Sequence, residues 1–177
     1  IALDTQPFTI ELPADKFTAY LREEGLERVI AQREASGQAN APGRERYRRH
    51  VKTLLRVGGK ADATFGVRTG QTLEIVPLVH PQRLKRGSAL TLEIFFKGMP
   101  LQGALVKVWN HRGQQLNVLR TRTDAAGKST TILPWGGVWM VSVVHMVPST
   151  DDQGSDWDSH WGNLTFELPT SGDTGRN

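Results

Sequence analysis

From Ile1 to about Leu12 apolar and polar positions alternate, with Phe8, Ile10 and Leu12 on one side and Thr9 and Glu11 on the other. This two-residue period is that of a strand, and its partners are expected upstream of Ile1. Pro13 then suits the first turn of a helix, where a missing N–H costs nothing, and Phe17, Tyr20 and Leu21 recur at helical spacing up to Gly25. Leu26, Val29 and Ile30 start a second helix that runs to Ser36, with Gly37 as its left-handed stop. After a loop over 38–43, the stripe Tyr47, Val51, Leu54, Leu55 falls at i, i+4, i+7 and i+8 and predicts a third, amphipathic helix from Arg44 to Arg56.

From about Gln71 the pattern changes to short β-branched runs bounded by Gly and Pro. Strands are expected near 73–79, 89–96, 104–110, 115–122, 129–133, 139–147 and 164–168. About seven strands at this spacing predict an antiparallel transthyretin-like or Ig-like β-sandwich, preceded by a strand and two or three helices. The expected division is 1–70 for the strand and helical segment, 71–169 for the sandwich and 170–177 for a disordered polar tail. Between Pro148 and Gly162 the pattern lapses, which predicts a long loop of the kind that carries function. The turn Thr123-Asp124-Ala125-Ala126-Gly127-Lys128 lets Asp124 cap its own backbone and Gly127 take positive φ. Together with Leu101 to Val108 it resembles small transthyretin-like modules.

Composition narrows the chemistry. The 177 residues contain no cysteine, which removes thiolate metal sites, disulfides and thiol nucleophiles together. No apolar run is long enough to cross a bilayer as a helix. The formal charge of +4 is modest, but Arg44, Arg46, Arg48, Arg49, His50, Lys52 and Arg56 are clustered. Clustered cations can dock phosphates of nucleic acid or anionic lipid, or can be solvated or paired internally. Nucleic acid is not the expected partner, because no aromatic platform or groove-reading motif accompanies the cluster. No nucleophile elbow, phosphate loop or dinucleotide fingerprint is present, so a non-enzymatic role is expected.

The richest constellation runs from His145 to Trp161. Imidazoles at His145 and His160 and carboxylates at Asp156 and Asp158 are donors suited to Ni²⁺, Co²⁺, Cu²⁺ or Zn²⁺, and they form the expected metal site. Trp157 and Trp161 are expected to order the loop or to contact a partner. His50, His80 and His111 are isolated in sequence and receive no role.

Three ordered segments, Phe8 to Leu26, Arg44 to Leu55, and Trp139 to His145 followed by Asp156-Trp157 and Trp161 to Phe166, resemble a bacterial periplasmic family of unknown function. Its members are often labelled as periplasmic components associated with nickel or cobalt uptake. The resemblance implies an exported protein made with a signal peptide, an N-terminal β domain absent from this chain, and a transthyretin-like C-terminal sandwich. It also implies a divalent transition metal, nickel or cobalt, and a membrane transporter or other envelope protein as partner. The resulting expectation is a periplasmic metal-handling or transport accessory protein that is not itself transmembrane. The alternative is an envelope scaffold that binds a protein or polysaccharide through the 148–162 segment.

Overall fold

The computed structural model describes residues 1–55, 62–150 and 154–168. These residues contain strands β1 Ala2–Asp4, β2 Phe8–Leu12, β3 Gly43–Thr53, β4 Leu73–Pro77, β5 Ala89–Phe96, β6 Met99–Pro100, β7 Leu105–Arg112, β8 Gln115–Arg122, β9 Lys128–Ile132, β10 Gly137–Pro148 and β11 Trp157–Leu168. They also contain helices α1 Ala14–Glu23 and α2 Glu27–Ala35. One sheet has seven strands, ordered β1-β3-β11-β10-β7-β8 with β2 also on β3, and the other holds β4, β5, β6 and β9. All neighbours are antiparallel except β3 and β11, which run parallel.

The protein is therefore mainly β, a sandwich with two helices, as the periodicity predicts. Apolar side chains from alternate positions of β10 and β11, including Trp139, Val141, Val143, Leu164 and Phe166, meet Leu73, Ile75, Leu90, Leu92 and Ile94 of the smaller sheet. On the opposite face of the larger sheet, Phe17, Leu21, Leu26 and Val29 of the helical segment pack on Val144, Met146 and Trp157. Three layers result, and β10 and β11 are covered on both sides. Gly43 is the close-approach point of the helical layer, because a Cβ there would collide with the Phe17 ring. At the β8–β9 turn, Asp124 Oδ1 accepts hydrogen bonds from the backbone N–H groups of Ala126 and Lys128, both at 2.9 Å, and Gly127 has φ +72°.

Three expectations need correction. The stretch from Arg44 is strand β3 and not an amphipathic helix; Arg56 lies outside the described residues. Its Tyr47, Val51 stripe fits a helix by spacing, but tertiary pairing decides, since the alternating charges of β3 find partners on both faces. The partners of the first strand are also within the chain, because β1 and β2 both pair with β3. Finally, the segment 148–162 is not one long loop, because β10 extends to Pro148 and β11 resumes at Trp157. Strand β11 alternates Trp157, Ser159, Trp161 with Asp158, His160, Gly162, and a strand buried on both faces lacks the apolar-in, polar-out signature. The expected tail, 170–177, lies outside the described residues.

A buried ion pair ties the two sheets together. Lys52 Nζ on β3 donates to Glu74 Oε1 on β4 at 2.5 Å, and Glu74 is 1% exposed. Glu74 also accepts from the Thr69 hydroxyl at 3.0 Å and the Gly70 N–H at 3.2 Å. Burial pushes its carboxyl up, but the hydrogen bonds from Lys52 and Thr69 outweigh this and hold it below the usual range. Lys52→Met removes the nearer of the two cations on that buried carboxylate, leaving Arg68 Nε at 3.9 Å, and is expected to cost about 3 kcal/mol by denaturant unfolding. Lys52→Met/Glu74→Leu is expected to recover most of the loss. A single variant as stable as the parent contradicts this account of how the sheets are joined.

Candidate functional site

The parallel register pairs Asp158 with Arg46, His160 with Arg48 and Gly162 with His50. The antiparallel register of β10 pairs His145 with His160. Alternate residues share a face, so His50, His145 and His160 all lie on the side of the larger sheet that meets the smaller one. Phe96, at the end of β5, packs edge-on against both His145 and His160, with ring centroids 4.4 and 5.1 Å away.

His50 and His160 are joined directly. Their rings stack at 14° with centroids 5.3 Å apart, and His50 Nε2 lies 3.0 Å from His160 Nδ1. On its other side, His50 Nδ1 is 3.0 Å from Asp4 Oδ1, and the Gln71 amide donates to the same carboxylate oxygen at 2.7 Å. A carboxylate only accepts, so His50 Nδ1 carries the proton and, in the neutral ring, Nε2 is an acceptor. His160 Nδ1–H then donates to it, and the lone pair of His160 is assigned to Nε2. Among the described residues that nitrogen has no hydrogen-bond partner, and His160 lines a cavity of about 170 Å³.

Both cross-strand imidazoles are held neutral. Burial pushes His145 down to about 4, with Arg28 and Lys97 acting in the same direction. Burial also pushes His160 down to about 4; His50, His145 and Arg48 add to it, while Asp158 opposes.

The expected metal set is thus brought together only in part. His145 and His160 are adjacent, but each aspartate is clamped by an arginine of β3. Arg44 donates through Nε and Nη2 to Asp156 at 3.1 and 2.7 Å. Arg46 donates through Nε and Nη2 to Asp158, both at 2.8 Å. The Arg44 hydrogen bond holds the Asp156 carboxyl below its usual range. Burial pushes Asp158 up, and Arg46 more than reverses this. Two imidazoles fit a borderline transition metal, whereas both carboxylates are already paired bidentately with arginines. Among the described residues, no three His, Asp or Glu side chains are arranged as a metal-binding group.

Trp157 and Trp161 are strand residues and belong to the helix-facing layer. Trp157 is 3% exposed among Phe17, Leu21 and Met146, and Trp161 stacks on Tyr20 at 5.8 Å. Beneath Trp161, Glu45 accepts hydrogen bonds from the Tyr20 hydroxyl at 3.2 Å and from Ser159. A larger cavity of about 560 Å³ lies between α1 and α2 and shares no residue with the histidine cluster.

Sequence spacing misses Asp4, His50 and Phe96. The His50–His160 contact spans 110 positions and the Asp4–His50 contact 46, so no local motif announces them. No helix among the described residues is long and apolar enough to cross a membrane.

The depressed imidazole pKa values give stability a defined pH dependence. As pH falls, the unfolded chain takes up protons first, at about 6.5, whereas folded His145 and His160 resist until about 4. Their contribution is full above pH 6.5 and is lost as pH falls toward 4. These two groups together are expected to make the protein several kcal/mol less stable at the lower end of that window, by denaturant unfolding. His145→Gln/His160→Gln should flatten the slope between pH 6.5 and 4; an unchanged slope contradicts the assignment.

Comparison with known proteins identifies the family but adds no chemistry. No curated protein and no solved structure matches the chain. A family described as a domain of unknown function, DUF4198, matches residues 5–147, a stretch that contains His50 and His145 and ends before β11. With most of its length matched, the chain belongs to the DUF4198 family.

Proposed function

We propose that this protein is a periplasmic, non-enzymatic metal-handling module, an accessory to nickel or cobalt transport, with His145 and His160 as the ligands for its cargo. The observation that carries this reading is the cross-strand pairing of two neutral imidazoles, one of them backed by His50 and Asp4. Metal-ligating histidines characteristically donate the other ring N–H to an acceptor that fixes the tautomer and raises ligand basicity. The chain from His160 through His50 to Asp4 supplies that acceptor.

Neutral imidazoles suit nickel, cobalt, copper and zinc. Two protein ligands leave the remaining positions to exchangeable groups, which suits a carrier that must also release its metal. Asp156 and Asp158 serve this reading as structural partners of Arg44 and Arg46. The alternative scaffold role through 148–162 is weakened, since Trp157 is buried and Trp161 is stacked within the fold.

Calorimetric titration of the chelator-treated protein with Ni²⁺, Co²⁺, Cu²⁺ and Zn²⁺ near neutral pH tests the proposal. Stoichiometric micromolar binding is expected, lost in His145→Ala/His160→Ala and retained in Asp156→Asn/Asp158→Asn. His50→Phe is expected to weaken it by about 10–100-fold, as removal of a supporting hydrogen bond does. Because both ligands titrate only near 4, affinity should hold down to about pH 5 before proton competition reduces it. Absence of binding, or undiminished binding in the double histidine variant, overturns the proposal.

A further inference from the structure

We infer that the cavity beside His160 is a binding site for a small oxyanion carrying about two negative charges, a phosphate or a short dicarboxylate. The cavity of about 170 Å³ is lined by Arg46, Arg48, Thr72, Lys97, Asp158 and His160, with Ser159. Among the described residues, three fixed cations face one carboxylate across this space, and Asp158 is already committed to Arg46. Arg48 and Lys97 have no carboxylate partner among the described residues. Two positive charges in a small, half-enclosed cavity with a threonine hydroxyl form a field and donor set complementary to a dianionic oxyanion.

The backbone supplies an independent observation. Phe96 pairs with Met99, so Lys97-Gly98 is a two-residue hairpin turn, and Lys97 has φ +50° while Gly98 has φ +80°. Such turns favour Asn-Gly or Asp-Gly, because a left-handed backbone strains other side chains. Lysine therefore occupies a position where its own conformation is unfavourable, at the rim of a cationic cavity. Its N–H donates to the Thr72 carbonyl at 2.7 Å, which holds the turn against the cavity wall. Strain retained at such a position marks a functional demand on the side chain. Nothing in this inference requires a metal.

The test is calorimetry of the chelator-treated full chain at low ionic strength, titrated separately with inorganic phosphate and with succinate. Submillimolar binding of one equivalent is expected for at least one of them. Arg48→Gln and Lys97→Asn should each weaken it by about tenfold, as loss of a charge-assisted hydrogen bond does. Lys97→Asn should also raise the melting temperature, because asparagine accepts the left-handed conformation more readily. Affinity and stability then move in opposite directions, which a purely structural role for Lys97 does not produce. Binding of phosphate alone assigns the site to phosphate-bearing ligands, and binding of succinate alone assigns it to dicarboxylates. Failure of both anions to bind, or binding that both substitutions leave unchanged, overturns the inference.

Discussion

The parallel pairing of β3 with β11 is the constraint on which the site depends. It aligns segments more than a hundred positions apart, so that Arg44 and Arg46 meet Asp156 and Asp158 and His50 meets His160. Each contact is a polar group satisfied by a partner from the neighbouring strand, and a one-residue slip would turn every one of them to the wrong face. Register here is fixed by charge and imidazole pairing as much as by apolar packing. Lys52, on the same face of β3, extends the arrangement to the smaller sheet through Glu74.

The same alignment decides the chemistry available. Arginines on β3 occupy the aspartates that the sequence offers as metal ligands, which leaves the largely buried imidazoles as the nitrogen donors of the cluster. Asp4 acts at a distance, since its acceptor character sets the His50 tautomer and, through it, that of His160. The metal site is proposed on His145 and His160, and the anion site on the cavity that His160 shares with Arg48 and Lys97. His160 borders both, but the metal site rests on imidazole nitrogens and the anion site on the charges of Arg48 and Lys97, so the variants that test them differ.

Legibility in the sequence followed the physics of each element. Strands with one solvated face, and helices with an apolar stripe such as Phe17, Tyr20 and Leu21, were readable from periodicity, and the sandwich with them. Strand β3 was not, because its Arg and His side chains look like a solvated surface until their partners are known. Strand β11 was obscured for a related reason: the helical layer covers Trp157 and Trp161 while the smaller sheet faces His160. Of the candidate site, the His145 and His160 pair was visible as chemistry near one strand end. The commitment of Asp156 and Asp158 to arginines was not, nor was the contribution of Asp4 and His50, since both depend on long-range register.

The central claim is that Asp4, acting through His50, leaves His160 with a free Nε2 lone pair. Long-range proton–nitrogen correlation NMR of the histidine rings at neutral pH measures this directly. The account predicts a proton on Nδ1 of both His50 and His160 and an unprotonated Nε2 on His160, with the Asp4→Asn variant losing that preference. A His160 ring protonated at Nε2, whether neutral or charged, would contradict it.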